Sequence, residues 1–448
     1  MELNCKKTEN GFAIECKNKN FHLSYPKNIW KTYPDSAKEM LFENLAHFLT
    51  INLPLVAGIK KLKYNISNPL FKTFFDSVVI NSLPGAVEDY KIQTQDLIKR
   101  FLDTEYEFNG TETTLPSYNG FELNERAIVT LSCGKDSLLS LAVCNEIGLN
   151  PVAVYINDTV SAIENIIKID SGKKLCRENG IEFYIVENEI ERLNDFEFWN
   201  NVESLVGYTH MVTSFCLIAL PFSHYFKAKY IVEGNQKNME FRFKNKDGFL
   251  TYPSFDQSIR WMEEQDKLVK MMTDKKASLI SVIEPLTNIA IMRILHKRYK
   301  SFGKYEISCD DLYDTKEKRW CHNCSKCARL SLLMKANGID AKTVGFRRNL
   351  FTETDKSLYC LFKGKMVGCY EKSNEARDEQ LLAFYMAYRN GEKGYLIDLF
   401  RKEFLKEAKS REDELIKKFF SIHKTITIPR NLEKRIFSIY REELRNLF

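Results

Sequence analysis

Ala127-Ile128-Val129-Thr130 runs into Leu131-Ser132-Cys133-Gly134-Lys135-Asp136-Ser137, and this stretch decides how the rest of the chain is read. The opening run is apolar and β-branched and ends at small residues, as a buried strand entering a tight turn requires. Asp136 and Ser137 then open an amphipathic stretch. Leu138, Leu141, Val143, Cys144 and Ile147 are its apolar residues, and Gly148 closes it. Small residues ahead of a helix let the backbone approach an oxyanion, and the helix N-terminus favours negative charge. Lys135 can neutralise that charge, and Ser137 can donate a hydroxyl. A lone Gly-Lys pair would be read as an ordinary βα turn. Six suitable residues in a strand–turn–helix context point to phosphate binding.

The pattern around this stretch is repetitive. From Asn124 onward, short apolar strands are expected at Ala127–Leu131, Val152–Ile156, Ile181–Val186, Tyr230–Glu233 and Leu279–Ile283, with helices such as Ile163–Arg177 and Met211–Phe226 between them. This alternation predicts an α/β fold, a doubly wound parallel sheet with helices on both faces. Ligands of such sheets sit at the carboxyl ends of the strands. That rule gathers the Ser132–Ser137 loop, Asn157-Asp158 and Glu233-Gly234-Asn235-Gln236 on one rim.

Residues 1–120 read as a separate α+β unit, with a helix starting at Tyr33-Pro34-Asp35-Ser36 and running from Ala37 to Leu49. The polar, breaker-rich segment Phe108–Ser117 reads as a linker. Residues 121–343 form the expected core. Residues 344–448 turn helical and heavily charged, with helical spacing over Glu375–Arg389 and Gly394–Phe420 and a final helix from Asn431. Most of that region reads as a solvated helical cap.

A chain of 448 residues predicts two or three packed units. The net charge of +6 is small for this length, and basic residues interleave with acidic ones, which argues against a large nucleic-acid footprint. No uninterrupted apolar run reaches transmembrane length; the best, around Leu49–Ile59, is short and contains Pro54. Met1-Glu2-Leu3-Asn4-Cys5 lacks a basic-then-apolar leader pattern. The expected compartment is the cytoplasm, where twelve cysteines stay mostly reduced.

Four of those cysteines form a second constellation. Cys309 is followed, after eleven residues, by Cys321-His322-Asn323-Cys324-Ser325-Lys326-Cys327. Three cysteines spaced by two, with a fourth upstream, match a tetrahedral thiolate zinc site. With four thiolates no position stays open for water, so the expected zinc is structural. Buried free thiols are the plain alternative, and an iron–sulfur cluster is the rival metal. His322, inside the knuckle, is expected to be exposed, and Cys360 and Cys369 read as ordinary small hydrophobes.

The Ser132-x-Gly134-Lys135-Asp136-Ser137 segment resembles the PP-loop of the ATP pyrophosphatase superfamily. The resemblance implies that ATP is split into AMP and pyrophosphate, that the loop holds the phosphates, and that Asp136 helps to bind magnesium. Lys135 and Asp136 become the expected catalytic residues. Ser132, Gly134, Ser137, Asn157, Gly234 and Asn235 join them in the expected ATP site. Cys133 stands where many members have glycine, at a position where a side chain strains a glycine-type backbone but a small one is tolerated.

Among zinc-bearing members, the 7-cyano-7-deazaguanine synthases carry a similar cysteine element, with a shorter first spacer. The UDP-N-acetylmuramoyl-L-alanyl-L-glutamate epimerases are more similar. The likeness runs through Glu233-Gly234-Asn235, Glu284-Pro285-Leu286, Ile307-Ser308-Cys309, Arg319-Trp320-Cys321, Lys326-Cys327 and Val367-Gly368-Cys369-Tyr370-Glu371, over roughly residues 125–375. It implies ATP-dependent inversion of the terminal glutamate of a peptidoglycan precursor, a UDP-sugar peptide, through an acyl adenylate. Glu233, Asp256, Glu284 and Glu371 are each conceivable as the base, and the sequence selects none of them. Glu240–Lys246, rich in aromatics and cations, suits either a diphosphate or an edge strand with alternating faces. A 7-cyano-7-deazaguanine synthase-like or tRNA-modifying enzyme remains open, as does a non-catalytic nucleotide-binding defence or regulatory subunit.

Overall fold

A computed structural model describes residues 1–445 except 89, 112–113, 118–120, 159, 161, 202–204 and 310–318. Residues 112–113 of the expected linker therefore lie outside the described residues, as does most of the spacer between Cys309 and Cys321.

The structure is mixed α/β around one mostly parallel ten-stranded sheet. Its strands are β1 (Glu2–Thr8), β2 (Gly11–Cys16), β3 (Lys19–Ser24), β4 (Lys61–Tyr64), β5 (Glu105–Phe108), β6 (Asn124–Thr130), β7 (Val152–Asp158), β8 (Glu182–Asn188), β9 (Ala228–Val232) and β12 (Ser278–Ile280). A two-stranded ribbon, β10 (Phe243–Lys244) and β11 (Leu250–Thr251), stands apart. All five strands expected after Asn124 are present and pair in parallel, in the order β12-β9-β6-β7-β8. In chain order this is the doubly wound arrangement 3-2-1-4-5, whose direction reverses between β6 and β9.

Side-chain alternation explains why these strands read as continuous apolar runs. Ala127 and Val129 enter one core and Ile128 the other; Tyr230 and Val232 take the first and Ile231 the second. The first core is filled by Lys135–Glu146, Asn288–Lys297 and Ser325–Ala336 together with the C-terminal helices. The second is filled by Met211–Ile218, Ile259–Met272 and the N-terminal helices Asp35–Phe48 and Lys72–Ala86.

Residues 1–120 contribute strands and helices that join the same sheet and core as later residues. Leu23 pairs with Asn188 and Ser24 with Glu187, so β3 continues the parallel sheet in antiparallel sense, and Ile29, Leu41 and Phe75 share a core with Ile128 and Val154. The expected helix 211–226 divides at Ala219 into Met211–Ile218 and Leu220–Tyr225, because Pro221 has no N–H to continue the ladder. The expected 394–420 stretch is three helices, and its breaks turn Phe404 onto Phe362 and Arg411 onto Asp378.

Among the described residues Val206–Tyr225, not Leu49–Ile59, is long and apolar enough to cross a membrane. Of its most apolar window, 78 % is buried inside the fold. All twelve cysteines are free of disulfides.

Candidate functional site

The reversal between β6 and β9 brings the two expected loops together. A Cβ placed on Gly234, just after β9, would lie 2.9 Å from the Asp136 Cβ, so only glycine lets the β9 end approach the loop after β6 this closely. Gly134 stands at the N-cap of the Lys135–Glu146 helix and has no side chain of its own to cap it. The loop is braced from within. The Ser137 Oγ accepts the Ser132 N–H at 3.2 Å and donates to the Gly134 carbonyl at 3.2 Å. Ser132 is exposed at the loop surface.

Lys135 is only 4 % exposed, and its ammonium donates to both carboxylate oxygens of Asp136 at 2.6 and 2.7 Å. Each charge thus satisfies the other at a helix N-terminus, beside a turn of small residues. A pair of this kind can exchange its internal contact for an anion at the lysine and a cation at the aspartate.

Cys133 adopts φ +58°, a left-handed conformation that favours glycine. Its side chain is buried and donates to the Lys168 carbonyl at 3.5 Å, and burial pushes the thiol up to about 12. It is a packing group with no nucleophilic character at neutral pH.

The remaining rim residues lie where the sheet order puts them. Asn157, at the end of β7, donates to Glu187 of β8 at 2.5 Å. Asn235 is buried; its carbonyl accepts from Ser281 at 2.6 Å, while its side-chain Nδ2 has no partner.

The four cysteines do converge. One sulfur from each of Cys309, Cys321, Cys324 and Cys327 lies within 4.8 Å of the others, so the group can bind a metal such as zinc. The Cys321 and Cys327 sulfurs are 3.7 Å apart, and a tetrahedron of zinc–sulfur bonds has edges of about 3.8 Å. Backbone N–H groups of Cys321, Asn323 and Cys327 point at the sulfurs of Cys309, Cys321 and Cys324, each at 3.4 Å, which favours thiolates. His322 is buried rather than exposed; its Nε2 accepts the Arg347 N–H at 3.1 Å and braces the knuckle from outside.

Loop and knuckle are one assembly. The Ile307 N–H donates to the Cys133 carbonyl at 2.8 Å, and the Ser308 Oγ accepts the Lys135 N–H at 3.2 Å. Ser308 in turn donates to buried Glu306, which is paired with His296 at 2.7 Å. Cys309 is the next residue. Sequence reading noticed Ile307-Ser308-Cys309 but gave Ser308 no role, because a lone serine carries no spacing signal.

The C-terminal region is more than a solvated cap. Glu379 accepts from the Ile289 N–H at 3.0 Å and from Asn238 at 2.7 Å, closing the start of the Asn288–Lys297 helix beside the rim. Arg329, two residues past Cys327, is ion-paired with Glu371 and stands close enough to Asp136 to feel its charge. The Glu240–Lys246 segment resolves as alternation. Arg242, Lys244 and Lys246 are exposed, Phe243 and Asn245 buried, and the strand is only two residues long.

Comparison with models of known protein families and with curated proteins gives no match.

Proposed function

We propose that this chain is an ATP-dependent enzyme that adenylates a substrate carboxylate, releasing pyrophosphate and then AMP. The proposal extends to inversion of the terminal L-glutamate of UDP-N-acetylmuramoyl-L-alanyl-L-glutamate. The single observation that carries the reading is the loop at the sheet's switch point. There a helix N-terminus with glycine at its N-cap, the Lys135–Asp136 pair and the Gly234 approach meet at the carboxyl ends of β6 and β9. Lys135 supplies positive charge to phosphates, while Ser132 and Ser137 supply hydroxyls. Asp136 would hold magnesium, which when bound draws charge from the phosphate oxygens. The cysteine group fits a structural zinc, since all four positions are thiols and the Cys321 and Cys327 sulfurs stand one tetrahedral edge apart.

Adenylation makes inversion chemically reasonable. A free carboxylate leaves the adjacent Cα–H very weakly acidic. The acyl adenylate removes that negative charge and lets the carbanion delocalise as an enolate, so a base and an acid on opposite faces can invert the centre. Water then splits the acyl phosphate bond to give AMP and the D-glutamyl product.

The test is product analysis with ATP, magnesium and this substrate. AMP, pyrophosphate and D-glutamate support the reading. ADP refutes the pyrophosphatase class, and AMP formed only with a nucleobase carboxylate moves the substrate to the deazaguanine type.

A further inference from the structure

Arg329 lies on the same side of the sheet as the phosphate loop. It belongs to the Ser325–Ala336 helix, which packs into one core with Lys135–Glu146. Its side chain is 11 % accessible, more open than the 6 % of Lys135. Among the described residues its side chain makes one hydrogen bond, from Nη1 to the Glu371 carboxylate, and its Nε is shut off from solvent with no acceptor. The guanidinium carbon stands 5.6 Å from the centre of the Tyr370 ring.

A guanidinium carries five N–H donors, and buried donors are normally satisfied. Arg329 is therefore under-paired for a side chain so largely buried. Burial pulls its charge down, but the negative groups Glu371, Glu379, Tyr370 and Asp136 outweigh burial and hold the guanidinium protonated. Asp136 is part of the phosphate loop, so this charge acts where Lys135 acts. Glu371 also accepts from the Ser325 hydroxyl at 3.4 Å and sits in the short turn Cys369–Glu371. Consecutive residues thus pin the guanidinium, Glu371 by charge and Tyr370 by its ring, and leave its other donors unclaimed.

Paralleled N–H groups of arginine match a carboxylate in shape and charge. The proposed substrate ends in a residue with two carboxylates. Its α-carboxylate attacks phosphorus and loses its charge in the acyl adenylate. Its side-chain carboxylate stays charged through the whole cycle, close to phosphates that repel it, and needs a cation that stays in place. We propose that Arg329 binds the side-chain carboxylate of the terminal glutamate and makes the site specific for that residue. This rests on the epimerase reading above.

The experiment measures AMP formation with ATP and magnesium on two substrates, UDP-N-acetylmuramoyl-L-alanyl-L-glutamate and its L-glutamine counterpart. The parent should favour glutamate by about a hundredfold or more in kcat/KM, because an amide offers the guanidinium no charge. Arg329→Met should raise KM for the glutamate substrate by about tenfold or more, leave KM for ATP unchanged and abolish the preference. Arg329→Lys keeps the charge without the paired donors and should keep part of the preference. Arg329→Met strands the buried Glu371 carboxylate, so Arg329→Met/Glu371→Gln removes both charges together. That double variant should melt close to the parent and still show no preference. An ion pair that is only structural predicts the reverse, with preference returning along with the fold.

A parental preference in the double variant overturns the proposal. So does a rise in KM for ATP in place of the substrate, which would put Arg329 on the phosphates, and so does a parent that adenylates both substrates equally. A parent that forms no AMP with either substrate fails the epimerase reading itself and takes this role with it. That failure shows in the parent alone, before any variant is compared.

Discussion

Two helix starts in this molecule solve one electrostatic problem in opposite ways. Both the Lys135–Glu146 and Ser325–Ala336 helices begin in tight turns whose N–H groups favour negative charge. At the second, the chain supplies its own anion: the Cys324 sulfur caps the helix by accepting the Cys327 N–H, and three more sulfurs close around it. At the first, the N-cap is Gly134, which has no side chain to offer. The Ser325–Ala336 start is closed by its own residues, whereas the Lys135–Glu146 start borrows a hydroxyl from Ser308 and is the one proposed to hold phosphate. The contrast carries a dependency, because the open turn is held by the chain that enters the closed one, through Ile307 and Ser308.

The largest effect should come from opening the closed turn. Cys324→Ala removes one of the four candidate metal ligands and a helix cap together. Structural zinc sites contribute on the order of 10 kcal/mol in small domains; in this larger core the loss should appear as a metal-free protein with a markedly lower melting temperature. Metal analysis and thermal unfolding read both. An unchanged melting point, or a parent protein without bound metal, would erase the contrast between the two turns.

Next in size is the open turn. Asp136→Asn keeps an oxygen facing the buried Lys135 ammonium, so the fold should survive, but it removes the charge expected to hold the cation. Turnover of ATP to AMP should fall by about 10³-fold, with the melting point moved by a few degrees at most. Turnover that persists would show that phosphates bind elsewhere, and the switch point would lose its meaning as a site.

How much of this could be read beforehand follows from the range of each signal. The strands β6, β7, β9 and β12 were legible because burial on both faces writes short apolar runs into adjacent residues, and the partly buried β8 still shows Phe183-Tyr184-Ile185-Val186. The loop and the knuckle were legible because their chemistry is confined to seven consecutive residues each, with only Cys309 set apart. The union of the N-terminal strands with the sheet was not, since the contact of Leu23 with Asn188 is made across 165 residues and leaves no local pattern. Glu233 was visible only as one of four carboxylates, and Arg329 not at all. In a chain with 28 % charged residues a lone charged residue reads as solvated, and burial with few partners or none is a property of three-dimensional surroundings. Ser308 and Glu379 were hidden for the same reason.

The dependency between the turns has its own, smaller test. Ser308→Ala deletes the acceptor for the Lys135 N–H and leaves all four sulfurs in place. A neutral hydrogen bond of this kind contributes about 1 kcal/mol, so turnover should drop by roughly fivefold while metal content stays whole. Equal loss of metal would mean that Ser308 belongs to the knuckle; no loss of turnover would mean that the two turns merely adjoin.

The smallest effect concerns Cys133. Its φ of +58° suits glycine, and a side chain held there costs about 1 kcal/mol relative to glycine. Yet its sulfur is fully buried against the Lys168 carbonyl, so removing it opens a small gap of comparable cost. The two terms oppose each other, and Cys133→Gly should change stability by less than about 1 kcal/mol in either direction. With burial holding the thiol up to about 12, it takes no part in proton or group transfer, so AMP formation should stay within twofold of the parent. Matched melting curves and turnover rates check both statements. A large loss of turnover with stability intact would give the sulfur a part in the chemistry, and the open turn would then hold more than backbone, lysine, aspartate and hydroxyls.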